Sequence, residues 1–378
     1  YDFSLYSNFT YFLDDPVNGD EFEQIDERTY YGGTLSHSRD LSDRLTLRAG
    51  GDIRSDDISD IGLFRTASRQ RISTTRRDSV RETSVSAWGE LEYDLTDTLR
   101  ATAGLRGDYF DAEVDARSLA ANGGDASDSL LSPSLGLAWQ ARPGVELYAN
   151  YGEGFHSNDV RGATITIDPA TGDPASAVPI LVRAKGSELG ARFEGKHLKA
   201  TLALFQLDLD SELVFVGDAG TTEANDASTR HGLEASLFWT PNDWLVFDIG
   251  GAVTDSRFDI DDPADDIPGA VKNVLSGGVL ARLDRLTLSA RLRHFGEAPL
   301  IEDGSVSSEP TSIVNLGATY DWNQVSFGLD ILNAQDERDA DITYYFESQL
   351  PGETSPTEDL HFHPVEPRQI RASIRYRF

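Results

Sequence analysis

Two histidines, a run of aspartates and a group of arginines are the residues whose types and spacing could do chemistry. His361-Phe362-His363 sets two imidazoles on one face of an extended segment. That is half a coordination shell for a transition metal if another loop supplies the remaining ligands; ordinary packing within a loop is the alternative. Asp259, Asp261, Asp262, Asp265 and Asp266 crowd one link. Oxygen-rich clusters suit Ca²⁺, but the spacing lacks the central glycine and regular ligands of an EF-hand loop, and a solvated acidic loop accounts for the same residues. Arg65, Arg69, Arg71, Arg76, Arg77 and Arg81 lie in a stretch whose only acidic residue is Asp78. Bidentate guanidinium chemistry there could hold phosphate or another anionic ligand; the alternative is a charged loop in water. Gly152-x-Gly154 and Gly250-Gly251 lack the strand-to-helix context of a phosphate-binding loop. No nucleophile elbow or His-Glu-x-x-His is present. The chain reads as a non-enzyme, and no cofactor is expected.

The elements that must carry these groups are strands. Ile370, Ala372, Ile374, Tyr376 and Phe378 alternate with Gln369, Arg371, Ser373, Arg375 and Arg377, which sets one apolar and one cationic face on a single strand. Leu286, Leu288, Ala290 and Leu292 alternate in the same way with Thr287, Ser289, Arg291 and Arg293. About sixteen such strands can be traced, each near the length that crosses a bilayer when tilted. They fall at 2–12, 28–39, 44–54, 81–94, 99–114, 130–140, 145–155, 184–194, 198–215, 229–239, 245–258, 271–282, 286–295, 311–321, 325–332 and 368–378. Links alternate between short turns such as Ala141-Arg142-Pro143-Gly144 and long stretches, the longest around 55–80, 156–183 and 333–367. A soluble sandwich has no reason to sort its links by parity, whereas short periplasmic turns and long extracellular loops characterise outer-membrane barrels.

The sequence therefore predicts an all-β, transmembrane, antiparallel up-and-down barrel as a single domain over 1–378, in the outer membrane of a Gram-negative bacterium. Negative mean hydropathy is compatible with this, because only alternate residues of a barrel strand meet lipid. The final aromatic, Phe378, places the C-terminus with the periplasmic turns. Trp88, Tyr93, Trp139, Trp239, Trp244, Tyr320, Trp322 and Tyr376 are candidates for the interfacial girdle. Arg291, Arg293, Arg371, Arg375 and Arg377 then face the lumen. A formal net charge of −31 argues against nucleic acid as a partner. With no cysteine, disulfides and thiolate sites are excluded.

Several segments resemble the barrel of TonB-dependent receptors. Glu146-Leu147-Tyr148-Ala149-Asn150-Tyr151-Gly152-Glu153-Gly154-Phe155-His156 resembles a family strand that enters a loop at a Gly-Phe step, and His156 joins the arginines as a candidate for ligand contact. Glu188-Leu189-Gly190-Ala191-Arg192-Phe193, His231-Gly232-Leu233-Glu234, Ile331-Leu332-Asn333-Ala334-Gln335-Asp336 and Val365-Glu366-Pro367-Arg368 resemble later family steps in the same order. The resemblance implies uptake of a scarce small-molecule ligand such as a siderophore, cofactor or oligosaccharide. It implies lipid and lipopolysaccharide as surroundings, with a plug domain and TonB as partners of the full-length parent. The family usually has 22 strands behind an N-terminal plug, so the plug and about six strands are expected to be missing here. The lumen arginines would then bond to the plug or, in an open barrel, tune selectivity. The arginine-rich stretch at 65–81, if external, would reach lipopolysaccharide phosphates or an anionic ligand. Sixteen strands is also a porin number. A passive diffusion porin and a surface-binding barrel without transport are the alternative readings.

Overall fold

The computed structural model describes residues 1–10, 21–216, 221–224 and 226–378. The last two residues of the strand expected at 2–12 lie outside that set. Nine strands open the chain: β1 (Asp2–Thr10), β2 (Glu21–Ser42), β3 (Leu45–Ala67), β4 (Gln70–Asp94), β5 (Leu99–Ala116), β6 (Gly124–Arg142), β7 (Val145–Ser157), β8 (Leu181–Glu194) and β9 (Leu198–Leu209). Short β10 (Leu213–Val216) and β11 (Thr221–Ala224) follow. Next come β12 (Ser228–Asn242), β13 (Leu245–Phe258), β14 (Asn273–Leu283), β15 (Leu286–Phe295), β16 (Thr311–Trp322) and β17 (Val325–Leu332). The chain finishes with β18 (Ala340–Ser348), β19 (Thr357–Pro364) and β20 (Gln369–Tyr376). Sixteen of these form one antiparallel meander in chain order, while β10–β11 and β18–β19 are separate hairpins within long links. This is the wall of the expected up-and-down barrel.

Along the middle of each strand the alternation holds. Leu105, Leu131, Leu135, Leu189, Leu204 and Val253 are each more than half exposed, an apolar belt that makes sense only with lipid as solvent. Trp139, Trp239, Trp244, Tyr320, Trp322 and Tyr376 are exposed near the turn end of the barrel, as an interfacial girdle requires. Trp88 is a correction. It stands on the polar face opposite Arg106 and Gly50, and its ring lies so close to Gly50 that a Cβ there would come within 2.6 Å.

On β5 the apolar belt runs from Leu99 to Tyr109, about the length that crosses a bilayer. Beyond it the two faces exchange character. Asp111, Glu113 and Asp115 continue the outward face and are exposed, while Ala112 and Val114 on the inward face are only 2% and 3% exposed. Ile58 of β3 and Val80 of β4 join them in a small core closed by Val160, Ile180 and Leu181. Lipid outside and water inside are thus replaced, past the membrane boundary, by water outside and protein inside.

That exchange explains the main departure from the sequence reading. Residues 55–80 form no loop: β3 and β4 run on to a tight turn at Ser68-Arg69, both with positive φ, the conformation a two-residue hairpin needs. From Gln70 to Arg81, β4 extends roughly 40 Å along the strand. Register shifts at Ile58/Ile61, Leu63/Phe64 and Arg65/Thr66 break the period-two pattern in this blade. The strand expected at 198–215 likewise ends at Leu209.

Candidate functional site

The blade brings the arginine group into contact with acids from other strands. Arg71 pairs with Glu23 through Nε at 2.8 Å and lies 3.7 Å over the Phe64 ring. Arg77 makes a bidentate pair with Asp60 at 2.8 and 2.7 Å. Arg69 occupies the turn, its backbone N–H donating to Glu21; Arg65 lies opposite Phe22 in the β2–β3 ladder. Arg81, at the foot of the blade, is 3.7 Å from Glu113. The guanidinium groups of Arg71, Arg76 and Arg77 hold the protein's own carboxylates, so the stretch is a welded hairpin.

Arg76 is the most enclosed of them, 1% exposed. Its Nε donates to Asp78 at 2.6 Å and its Nη2 to the carbonyl of Arg161 at 3.0 Å. Burial, reinforced by the nearby Arg161 charge, pulls its pKa below the ordinary arginine value. Arg161 belongs to the short helix α1 (Val160–Ala163) and pairs with its N-cap, Asp159. The link from β7 to β8 is therefore folded onto the inner side of the blade. A second anchor is Asn122, 1% exposed. Its amide donates to Ile167 O at 2.7 Å and its carbonyl accepts from the N–H groups of Thr166 and Ile167, each at 3.0 Å. Sequence reasoning missed Asn122, whose partners lie 44 and 45 positions away, and the Asp159–Arg161 pair, whose burial beside Arg76 depends on a contact 85 positions apart.

Between blade and link sits Glu82, opposite Asp56 in β3 and Ala112 in β5, just past the membrane belt. Burial, then the nearby Asp56 and Asp159 charges, push its pKa up to about 7, with Arg54 and Arg28 acting in the opposite direction. Arg54 is bound to Asp56 at 2.7 and 2.8 Å, and Arg28 to Asp26. The Glu82 carboxyl makes no hydrogen bond among the described residues.

His156 is the penultimate residue of β7, opposite Val182, and among the described residues its buried Nε2 has no partner, nor has Oδ1 of Asn158. The histidine pair of the last long link is divided between separate tasks. His361 stacks on Phe346 at 3.7 Å and its Nε2 meets Ser348 Oγ at 2.7 Å, while His363 Nδ1 meets Asp341 at 2.8 Å. Among the described residues no three His, Cys, Asp or Glu side chains gather as a metal shell. In the acidic link, Asp265 and Asp266 surround Arg257, and Asp262 accepts from the Ala264 N–H. On the polar face of the wall strands Arg291 pairs with Asp248 at 2.8 Å, Arg371 donates to Gln369 at 2.8 Å and Arg293 lies 5.4 Å from the Phe295 ring. Arg375 and Arg377 make no side-chain hydrogen bond or ion pair among the described residues. Tyr148, also on this face, bonds to Glu188 beneath Arg192 and lies flat over Gly190, where any Cβ would collide with it.

Two cavities open among the folded links at the loop end. One of about 510 Å³ is walled by Phe295, Leu300 and the β18 strand. The other, about 800 Å³, lies between the β12–β13 wall and the links at 267–271 and 300–302. Both cavities are lined by the β12–β18 half of the loop end, and the Glu82 region lies apart from them in the β3–β5 half.

Comparison with known proteins gives this architecture its context. The family model described as TonB dependent receptor-like, beta-barrel, matches residues 1–334. The ferric yersiniabactin uptake receptor FyuA from Yersinia pestis superposes with a TM-score of 0.73 at 13% identity, covering 95% of this chain and 55% of that one. The ferric-catecholate import receptor Fiu from Escherichia coli K12 gives 0.71 at 14%, covering 95% and 56%. The copper transporter OprC gives 0.71 at 15%, covering 95% and 58%. The chain thus spans a little over half the length of these structures, and at such identities the likeness is one of fold.

Proposed function

Because the chain belongs to the TonB-dependent receptor β-barrel family, whose members are transporters of the bacterial outer membrane and not enzymes, we propose that it is the wall of a receptor that captures a scarce small molecule outside the cell. The ligand is caught among the folded links at the loop end and passes through the barrel when a plug, moved by TonB, clears the lumen. The observation that carries this reading is the inversion of β3–β5 past the membrane belt. An apolar inner face and buried ion pairs, Arg76–Asp78 above all, fix the β7–β8 link rigidly against the blade. A passive pore gains nothing from such rigidity, whereas a selective binding site depends on it.

The lumen charges fit the same reading. Arg291 and Arg371 have partners within the wall, leaving Arg375 and Arg377 to bond to a plug. Planar-bilayer recording on the protein extracted from its native outer membrane tests the proposal. A receptor stays closed to bulk solutes at rest; steady conductance graded by solute size marks a porin and contradicts it.

A further inference from the structure

The 800 Å³ cavity offers a choice of ligand chemistry, and its lining narrows that choice. Thr254 and Ser256 stand two apart on β13, facing Gly232 and Arg230 across the ladder with β12. Tyr345 reaches in from β18. None of these three hydroxyls has a hydrogen-bond partner among the described residues. Each can donate and accept. Arg230 is the one cation in the lining, and it is already held by Glu212, to which Ser228 also donates at 2.5 Å. Arg230 and Glu212 cancel, leaving the Glu302 carboxylate as the uncompensated charge. Phe258 and Tyr345 add flat aromatic surface beside Ile267, Pro268 and Leu300.

The walls are built before any ligand arrives. Phe258 N–H donates to Asp265 O at 2.8 Å, Asp266 N–H to Glu302 O at 3.0 Å and Gly269 N–H to Pro299 O at 2.7 Å, so both links are tied to the wall and to each other. A ligand loses little to ordering them.

Each ligand class meets this lining differently. An anionic chelate needs free guanidinium or ammonium groups and finds a residual negative charge. A bare transition metal needs converging nitrogen or carboxylate ligands. Unpartnered hydroxyls beside aromatic faces suit a neutral molecule with its own hydroxyls and an apolar ring face. We therefore propose that this cavity is a subsite for a neutral, hydroxyl-rich ligand of the saccharide class. The inference rests on the receptor reading and names its cargo chemistry.

Titration calorimetry on the protein extracted from its native outer membrane tests it, with maltotriose, cellotriose and N-acetylated chitotriose as neutral probes and ferric citrate as the anionic one. At least one trisaccharide should bind, and Tyr345→Ala and Ser256→Val should each weaken it about tenfold, near 1.4 kcal/mol. Trisaccharide binding that survives both substitutions overturns the assignment to this cavity. No trisaccharide binding overturns the ligand class. If ferric citrate then binds, the receptor reading stands without it; if neither probe binds and conductance is graded by solute size, both fail.

Discussion

At the scale of single residues, the folded loop end depends on charges whose partners are distant in sequence. Arg71 and Glu23 are 48 positions apart, and Arg76 meets a carbonyl 85 positions on. A reading confined to 65–81 finds arginines with one acid and leaves an anion grip and a charged loop in water as alternatives, because the carboxylates of Glu23 and Asp60 arrive only with folding. Arg76→Ala leaves Asp78 buried without its cation and should destabilise the extracellular end by about 3–5 kcal/mol, whereas Arg76→Met combined with Asp78→Leu should recover most of that loss. Urea titration followed by tryptophan fluorescence separates the two outcomes.

Glu82 makes the docking of the β7–β8 link sensitive to pH. Its pKa in the folded protein, about 7, lies above the ordinary 4.5 through burial, Asp56 and the link's Asp159, so docking, which brings Asp159, favours the protonated form. The added stability is fully present below pH 4.5, falls as pH rises and is gone above about 7. Hydrogen exchange at the amides of 160–167 should accordingly quicken between those values, and Glu82→Gln should flatten the profile. An unchanged profile in that variant would assign the effect elsewhere.

At the scale of elements, the sequence made the membrane-crossing strands legible because lipid and lumen impose one strict alternation. Leu288 is exposed on the apolar face, and Ser289 faces the other way against Gly317. Leu288→Arg should therefore cost about 2–4 kcal/mol in assembly near the bilayer midplane, with Ser289→Arg milder. Equal yields of folded barrel from the two variants would contradict the facing. The blade of β3 and β4 was not legible for the same reason. Past the belt its inner face is apolar and its outer face charged, and the bulges shift the period, so the pattern that identifies a membrane strand reads there as a loop. Asn122 joins two links that no local signal connects. Asn122→Ala should expose 164–178 to protease in intact cells while leaving the amount of folded barrel unchanged.

At the scale of the whole molecule, the barrel was evident from the alternating length of its links, and family membership bears that out. What the sequence could not show is that the long links are themselves folded, with a core, buried ion pairs and preformed cavities. Capture of a ligand requires these links to stand outside the cell, where the ligand arrives. The chain has no cysteine, so single thiols can report their side of the membrane directly. Ala170 is exposed in the β7–β8 link and Lys196 in the turn between β8 and β9. With a membrane-impermeant maleimide on intact cells, Ala170→Cys should label at once and Lys196→Cys only after the outer membrane is permeabilised. Labelling of Lys196→Cys in intact cells with Ala170→Cys protected would invert the barrel and contradict capture from outside.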